Sequence, residues 1–314
     1  MSVNPFPAHE DRRLQATERV VSYSNHTHGT DFVLDHRLKG GFQNGAYALR
    51  AGAAPEPAAV LKWTADPGRA GLIQRAQPVV AAARAAGWPT PAWLVAGSTP
   101  AGYPYQVQEF AEGSHPERVT RHLVQAALPV FGVQAGMRPE TDHDWSAYDH
   151  AVVFADESGF SSTLTAFSVA GAEFVETMRR WTAPHRGAEL RTTDLVHGDL
   201  NPSNIFLVDG RISALVDAEA LGKGSRFHDV ATLLTYAQLW HGGEPGACDD
   251  LLAYAHRHAV PGELEVSFAA CLLGLLAFVA NRHADGTDGT DNSSGREDVD
   301  TQIRTATGLL RPPR

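Results

Sequence analysis

The chain of 314 residues and 33.7 kDa is about two domains long, since a domain usually has ~150 residues. Hydrophobic residues make up 43% and charged residues 20% of it, which excludes a disordered or fibrous protein. The formal net charge of −10 argues against a nucleic-acid partner, because a phosphate backbone requires clustered Lys and Arg.

The cysteines and the apolar runs indicate the compartment. Only Cys248 and Cys271 occur, which excludes a disulfide scaffold and a multi-cysteine zinc site and fits a reducing compartment. The longest uncharged apolar run, residues 268–280, is shorter than the ~20 residues of a membrane span. The N-terminus carries charge early and lacks the apolar segment of a secretory signal. We therefore expect a soluble cytoplasmic protein with no membrane partner.

The first 113 residues show the pattern of a small antiparallel α+β domain. A helix is predicted over 7–22 and a second, Ala-rich one over 70–86, in which Pro78 predicts a kink or a fresh start. Short β-type runs separated by Gly- and Pro-containing turns are predicted at 32–38, 46–50, 58–63, 92–96 and 105–110.

Beyond Gly113 the apolar residues recur with the helical period. Helices are predicted at 118–133, 171–181, 228–240, 249–259 and 264–283, and strands at 204–208 and 211–216. Segment 137–162 stays unassigned, and 286–295 reads as an acidic low-complexity loop. The whole predicts a bilobal α+β protein with a small β-rich N-lobe (1–108), a linker (109–113) and a larger, mainly helical C-lobe (114–314). A ligand is expected in the cleft between the lobes.

The most informative stretch is 195–234. Asp209-Gly210, flanked by alternating apolar residues, is a strong hairpin signal, and a two-residue turn there places Asn204 opposite Leu215. With side chains alternating between faces, Asp217 then lies diagonal to Asn204 at roughly 7–8 Å. An amide and a carboxylate at this separation suit one hard divalent cation, while Asp199 lies on the loop that leads into the hairpin.

These parts are the ones that phosphoryl transfer requires. The segment closely resembles the catalytic loop and metal motif of the aminoglycoside phosphotransferase family, the small-molecule branch of the protein-kinase-like fold. The resemblance, which extends over 33–240, implies that Asp199 in His197-Gly198-Asp199 is the catalytic base. It further implies Asn204 and Asp217 as Mg²⁺ ligands, and Asp229 as structural support of the loop. The alternative is a set of turn-forming residues in an ordinary hairpin; for His197, loop support is preferred to proton transfer.

The resemblance also implies a nucleotide site, for ATP or GTP, in the first lobe. Lys62 on a predicted strand matches the lysine that reaches the phosphates, its alternative being a solvent-facing lysine. The loop 40–45 offers a flap over the phosphates or a plain turn. The inter-lobe segment meets the base edge through its main chain. The residues expected at the nucleotide are Lys62, Gly41, Asn44, Gln108, Glu109 and Ala111.

Some features depart from the family pattern. No Glu occurs between Lys62 and Glu109, so the helix Glu that usually pairs with the strand lysine is absent, and Gln74 or Gln77 is a possible substitute. The family's aromatic residue after the second metal ligand is Ala218 here. Lys223 and Arg226 add two cations near the motif, which either bind phosphate or offset local acids.

Charge is distributed unevenly along the chain: residues 1–113 have a net charge of +1 and residues 114–314 of −11. Together with the resemblance, this indicates a small polar, cationic acceptor that offers a hydroxyl. The candidate acceptor contacts are Glu219, Asp142 and Asp144, each with the alternative of a solvated surface charge. Trp145 and Tyr148 either stack on an acceptor ring or serve packing.

Three functions are consistent with these residues. The first is a resistance-type antibiotic O-phosphotransferase that acts on an aminoglycoside or another amine-bearing antibiotic. The second is a metabolite kinase for choline, homoserine or a sugar-like acceptor. The third, from another class, is a catalytically inactive kinase-like binding protein. The absence of the helix Glu is the observation that suggests it. The sequence leaves the oligomeric state open.

Overall fold

A computed structural model describes residues 7–38, 45–240, 242–284 and 292–310. The chain forms two compact units. The first consists of the described residues up to Gly113 together with the short segment Ser213–Ala220, and the second of Ser114–Ile212 and the described residues from Leu221 onward.

The first unit is built on a five-stranded antiparallel sheet of order β1-β2-β3-β5-β4. The long helix α1 packs on it with Val20 and Val21, and the Trp63 indole donates to the Thr17 hydroxyl at 3.0 Å. The elements of this unit are α1 (Pro7–His28), β1 (Phe32–Arg37), β2 (Ala46–Ala51), β3 (Pro57–Trp63), α2 (Ala70–Ala85), β4 (Trp93–Ser98) and β5 (Pro104–Glu109).

The predicted helices and strands of this unit are confirmed, with two differences. Helix α1 runs six residues beyond the predicted end at residue 22, and α2 passes through Pro78 without a break. A single proline removes one helical hydrogen bond, and the buried face of α2, which includes Ile73 and Val80, is continuous on both sides of it.

The segment 213–220 is an integral part of the first unit. The Leu215 amide donates to the Pro89 carbonyl at 2.6 Å, and the Ser213 hydroxyl donates to the Glu112 carbonyl at 2.9 Å. The short 3₁₀ helix Ala218–Ala220 packs against α2.

The second unit is mainly helical, and its central helix is α9. The elements are α3 (Arg121–Gln134), α4 (Trp145–Ala155), α5 (Phe160–Phe167), α6 (Val169–Thr182), β6 (Asp194–Val196), β7 (Ile205–Val208), β8 (Arg211–Leu215), β9 (Gly222–Gly224), α7 (Phe227–Leu239), α8 (Ala247–His258), α9 (Glu263–Ala284) and α10 (Asn292–Leu309). The last three residues of β8 belong to the first unit. Strand β6 pairs with β9, and β7 with β8. Helix α9 contacts α4, α5 and α7.

Helix α9 is long and apolar enough to cross a membrane by length and composition alone. Most of its apolar window is buried inside the second unit, as for Phe268, Leu272 and Leu276. Its apolar character is therefore that of a core helix.

The structure adds elements that the periodicity did not predict. The unassigned segment 137–162 contains α4 and the start of α5, and α10 begins inside the predicted loop 286–295, of which residues 286–291 lie outside the described chain. The predicted hairpin is present: Asp209 and Gly210 have φ of 48° and 74°, which both positions of a type I′ turn require.

Candidate active site

The predicted catalytic loop follows β6 directly. His197, Gly198 and Asp199 connect the strand to a one-turn 3₁₀ helix, Pro202–Asn204. Asn201 caps that turn, its side-chain oxygen accepting from the Ser203 amide at 2.9 Å. Pro at the first position of the turn fixes its φ, so the local sequence determines the bend after Asp199.

Two amides hold the Asp199 carboxylate, one on each oxygen. Asn201 Nδ2 donates to Oδ1 at 2.8 Å, and Asn204 Nδ2 donates to Oδ2 at 3.0 Å. Asn204 Nδ2 also donates to the Asp199 carbonyl at 2.8 Å. Both amides thus fix the direction in which the carboxylate is presented.

Asp229, the predicted loop support, is fully buried at the start of α7. Its carboxylate accepts from the His197 amide at 2.8 Å and from the Gly198 amide at 3.0 Å. Gln134 Nε2 of α3 donates to it at 2.7 Å. The His197 ring is buried as well, and its Nδ1 accepts from the Asp199 amide at 3.2 Å, so both side chains bond to the backbone of the loop.

The two predicted metal ligands, Asn204 and Asp217, do not lie on the strands where the sequence pattern placed them. Asn204 ends the 3₁₀ turn instead of starting a strand, and Asp217 lies beyond the end of β8 with φ of 62°. Strand alternation therefore does not apply to either residue, and the prediction that both lie on the strands of the hairpin was wrong. Asp is one of the few residues that enters this left-handed region readily.

The donor chemistry of these two residues fits a hard cation. The Asn204 amide nitrogen is committed to Asp199, which leaves its oxygen as the ligand atom. Asp217 offers a carboxylate whose side chain is 47% exposed. Carboxylate and amide oxygens are the ligands that Mg²⁺ takes. Within the described chain, no group of three or more His, Cys, Asp or Glu residues forms a metal cluster.

In the first unit, four charged side chains form a compact cluster. Lys62 Nζ on β3 is 3.2 Å from Asp217 Oδ1, and Arg69 Nη2 donates to Glu219 Oε2 at 3.0 Å. Buried Gln106 on β5, which is opposite Lys62 in the sheet register, donates to Glu219 Oε1 at 3.3 Å. Asp217 thus pairs with Lys62 of β3, and Glu219 pairs with Arg69, the residue just before α2.

Glu219 is an internal partner of these cations. Its side chain is only 11% exposed, and burial raises its pKa, as does the Asp217 carboxylate, whereas Lys62 and Arg69 lower it. Because Arg69 and Gln106 engage both of its oxygens, we do not retain Glu219 as an acceptor contact. The Glu219 carboxylate interacts electrostatically with Lys62. Lys62 therefore has an acid nearby, although α2 carries no Glu.

Gln74 and Gln77, the predicted substitutes for the helix Glu, are both exposed on α2. Neither makes a side-chain hydrogen bond within the described residues. The anionic partners of Lys62 come from 217–219 instead.

The predicted nucleotide contacts divide into three groups. Gln108 is buried on β5, and the side chain of Glu109 pairs with Arg84 at 3.1 Å. The amides of Glu109 and Phe110 donate to Ala92 and Ala58, whereas Ala111 makes no backbone hydrogen bond among the described residues. Gly41 and Asn44 lie outside the described residues.

The remaining charges have local partners in the second unit. Asp144 caps α4, accepting from the Ala147 amide at 3.0 Å, and Lys223 lies 4.0 Å from it. Arg226 is buried. It donates to Asp194 at 2.6 Å and to the Tyr254 hydroxyl at 3.1 Å. The structure therefore favours the interpretation that both cations offset local acids.

Aromatic side chains lie near the catalytic loop. The Trp145 ring covers Gly198, where an added Cβ would lie 1.9 Å from it, and its centroid is 5.0 Å from that of Tyr148. Burial and the Asp199 carboxylate both raise the pKa of Tyr236. Asp142, by contrast, is exposed.

Sequence reasoning missed two residues at this loop. Asn201 could have been found, because Asn before Pro-Ser is a cap signal. His228 could not, since its contacts lie 30 residues away at Gly198 and 79 residues away at Asp149.

Comparison with known proteins identifies the family of the chain. A model described as the phosphotransferase enzyme family (APH) matches residues 36–267, well over half of the chain. The chain belongs to this family. The resemblance to aminoglycoside phosphotransferases is confirmed, and so is the prediction of a small-molecule kinase with an α+β, protein-kinase-like fold.

Solved structures of phosphotransferases share the fold at low sequence identity. The amicoumacin kinase hAmiN, in complex with AMP-PNP, Ca²⁺ and Ami, is 13% identical with a TM-score of 0.64, and 98% of each chain is covered. A thermostable mutant of aminoglycoside phosphotransferase APH(4)-Ia, with ADP and hygromycin B, is 17% identical with a TM-score of 0.61, covering 92% of this chain and 98% of that one. ADP-bound APH(2'')-Ib is 14% identical with a TM-score of 0.56, covering 93% and 98%.

A sequence search of curated proteins finds no match. The identities to the phosphotransferases of known structure are low, so these structures support the fold and leave the acceptor to be determined by experiment.

Proposed function

We propose that this phosphotransferase transfers the γ-phosphate of ATP or GTP to a hydroxyl of a small polar molecule in a Mg²⁺-dependent reaction. The observation that carries the proposal is the Asp199 carboxylate, held on both oxygens by Asn201 and Asn204. In this role Asp199 orients the acceptor hydroxyl and accepts its proton.

Asn204 and Asp217 would hold the metal. When bound, Mg²⁺ neutralises charge on the nucleotide phosphates and fixes their orientation. The Asn204 oxygen is already directed by the two hydrogen bonds of its amide nitrogen. Asp217 is paired with Lys62, so that metal binding at Asp217 would make the lysine ammonium available to the phosphates.

The nucleotide side of the proposal rests on the first unit. Lys62 supplies a point charge to the phosphates, and the buried Glu219 carboxylate keeps an anion near it while Asp217 is engaged by metal. At the base edge, the Ala111 backbone is our candidate contact, because the amides of Glu109 and Phe110 are used inside the sheet.

For the acceptor, two candidates remain supported. An antibiotic with amino groups is favoured by the −11 charge of residues 114–314 and by structural neighbours named for hygromycin B and amicoumacin. A metabolite kinase is favoured by the fact that Asp144 and Glu219 are committed to internal partners. We place the antibiotic first.

An acceptor screen tests the proposal. The purified protein with Mg·ATP or Mg·GTP is offered hygromycin B, amicoumacin, choline and homoserine, and ADP or GDP release is followed together with ³¹P signals of the product. We expect transfer to at least one antibiotic. Transfer to choline or homoserine alone would support the metabolite kinase, and nucleotide binding without turnover on any acceptor would support an inactive binding protein.

A matched pair of variants assigns the base. Asp199→Asn keeps the shape of the side chain and removes the proton acceptor, so we expect it to lower kcat by ~10²–10⁴-fold. Asp209→Asn, at the hairpin turn with φ of 48°, should leave kcat unchanged because Asn tolerates that conformation. Equal activity of both variants would contradict the assignment of Asp199.

A further inference from the structure

A buried ion pair lies beneath the catalytic loop. His228 on α7 and Asp149 on α4 are almost entirely inaccessible to solvent, and His228 Nδ1 is 2.8 Å from Asp149 Oδ1. The second oxygen of Asp149 accepts from the Ser267 hydroxyl of α9 at 2.7 Å. Three helices therefore contribute to one hydrogen-bonded group.

The other ring nitrogen of His228 reaches the loop itself. Nε2 lies 3.3 Å from the carbonyl oxygen of Gly198. Against an ionised Asp149 carboxylate and a carbonyl, both ring nitrogens donate, which makes the imidazole doubly protonated. Burial opposes this charge, but Asp149, assisted by Asp229, outweighs it and raises the pKa of His228 from 6.5 to about 9.

The groups that face His228 come from all the elements packed around it. The ring itself meets Asp149 and Trp145 of α4 and the Gly198 carbonyl of the loop, and Asp229 of α7 acts on its charge. Thr232 of α7 and Cys271 of α9 donate to the backbone carbonyl of His228, and Ser267 of α9 donates to Asp149. Two of these groups are acids and the ring face is covered by Trp145 at a centroid distance of 4.5 Å, an arrangement that favours a cation.

Together with Asp229, His228 holds the Gly198 residue from two sides. Asp229 accepts from its amide at 3.0 Å, and His228 donates to its carbonyl. That carbonyl belongs to the peptide bond whose nitrogen is the Asp199 amide, so its direction sets the plane of the peptide. The same amide donates to His197 Nδ1, and Trp145 covers the loop at Gly198.

We propose that the Asp149–His228 pair is a positioning device for the base: its imidazolium fixes the Gly198–Asp199 peptide plane and so the presentation of Asp199. The inference rests on the proposed function only for the role of Asp199. Neither residue touches the reacting atoms, so both are positioning residues.

Two double variants separate positioning from simple stability. Asp149→Leu/His228→Leu removes the donor to Gly198, yet it leaves no buried charge unpaired, a replacement that proteins often tolerate. Asp149→Asn/His228→Gln is the matched control, because it removes both charges while Gln keeps an amide donor. Unfolding curves of both proteins establish that they are folded.

Amide hydrogen exchange in the full chain is the first readout. In the Leu pair we expect the Asp199 amide to exchange about tenfold or more faster than in wild type, the effect of one charge-assisted hydrogen bond. The His197 amide, held by Asp229, should keep its rate, and in the Asn/Gln pair, which keeps a neutral donor, the Asp199 amide should exchange at a rate between those of the Leu pair and wild type. An unchanged Asp199 amide in the Leu pair, or an equal increase at His197 and Asp199, would overturn the proposal.

Turnover of Mg·ATP with water as the acceptor is the second readout. The Leu pair should lower kcat by ~10–10²-fold at an unchanged KM for Mg·ATP, because misplacement of a catalytic group by ~1 Å has effects of this size, and the Asn/Gln pair should recover most of the loss. Equal losses in both pairs would overturn the proposal. A wild-type protein without turnover on any acceptor would refute the proposed function instead, while the exchange rates still decide whether the pair fixes the peptide.

Discussion

Gly198 has no space for a side chain, and Gly198→Ala is therefore the most direct test of the loop geometry. Its φ is 84°, a region that costs an alanine about 1–2 kcal/mol. An added Cβ would lie 1.9, 2.3 and 2.8 Å from three ring atoms of Trp145. Carbon atoms in contact are normally ~3.5–4.0 Å apart, so the ring would have to move by more than about 1.5 Å.

Trp145 cannot retreat easily. His228 stacks on it at 4.5 Å, and Gly222 lies so close that a Cβ there would be 2.9 Å from the ring. Overpacking of this kind costs about 1–3 kcal/mol. Added to the cost of the backbone conformation, it lowers the expected free energy of unfolding of Gly198→Ala by about 2–5 kcal/mol.

A double-mutant cycle with Trp145→Ala separates the two contributions. Urea unfolding of wild type, both single variants and the double variant should give a coupling free energy of about 1–3 kcal/mol, because the clash disappears without the ring and the backbone cost remains. Gly159→Ala is the control, since Gly159 has φ of 71° but nothing within 4 Å of its added Cβ. A Gly198→Ala cost no larger than that of Gly159→Ala would refute the reasoning.

Three further predictions concern buried charges. Glu219→Gln should change the free energy of unfolding in urea at pH 7 by less than about 1 kcal/mol, because burial and Asp217 raise the pKa of Glu219 and so disfavour its charge in the folded protein, which offsets the loss of a charged acceptor for Arg69; a loss above about 3 kcal/mol would contradict this balance. Asp229→Asn should reduce both stability and kcat, because Asp229 accepts from the backbone amides of His197 and Gly198 and the NH₂ group of Asn cannot accept from them. Wild-type kinetics would contradict the role of Asp229 as a support of the loop. The pKa of His228 is raised from 6.5 to about 9. The stability that its charged form contributes to the folded protein should therefore be complete below pH 6.5 and lost as pH rises through about 9. The difference between the denaturation midpoints of wild type and Asp149→Leu/His228→Leu should thus shift against wild type as pH rises through that window. Parallel pH curves of the two proteins would contradict a charged His228.

Much of the first unit could be predicted from sequence, because its strands alternate and its turns carry Gly and Pro. Helix α4 was missed for a physical reason: its inward face carries Ser146 and Asp149, and these are compatible with burial only because partners from distant parts of the chain satisfy them. Strands β6 and β9 have three residues each, which is too short for a period to be recognised.

The site was predictable to the extent that it is local. Asp199, Asn201 and Asn204 lie within six residues, and one turn brings their side chains together. The contact of Arg69 with Glu219 spans 150 residues and has no local signal. The alternation rule failed at Asn204 and Asp217 because a 3₁₀ turn and a left-handed residue replace the strand ends there.

The assignment of Ser213–Ala220 to the first unit has a consequence for synthesis on the ribosome. The N-terminal sheet emerges early, but Asp217 and Glu219, the counter-ions of Lys62 and Arg69, follow only after Ser114–Ile212, about half of the second unit, has been translated. In a nascent chain that ends at Gly113, Lys62 and Arg69 would lack these two carboxylates, and the face of α2 that Ala218–Ala220 covers would be exposed. The native contacts of this unit are therefore completed only once residue 220 has been synthesised, later than in a domain that is contiguous in sequence.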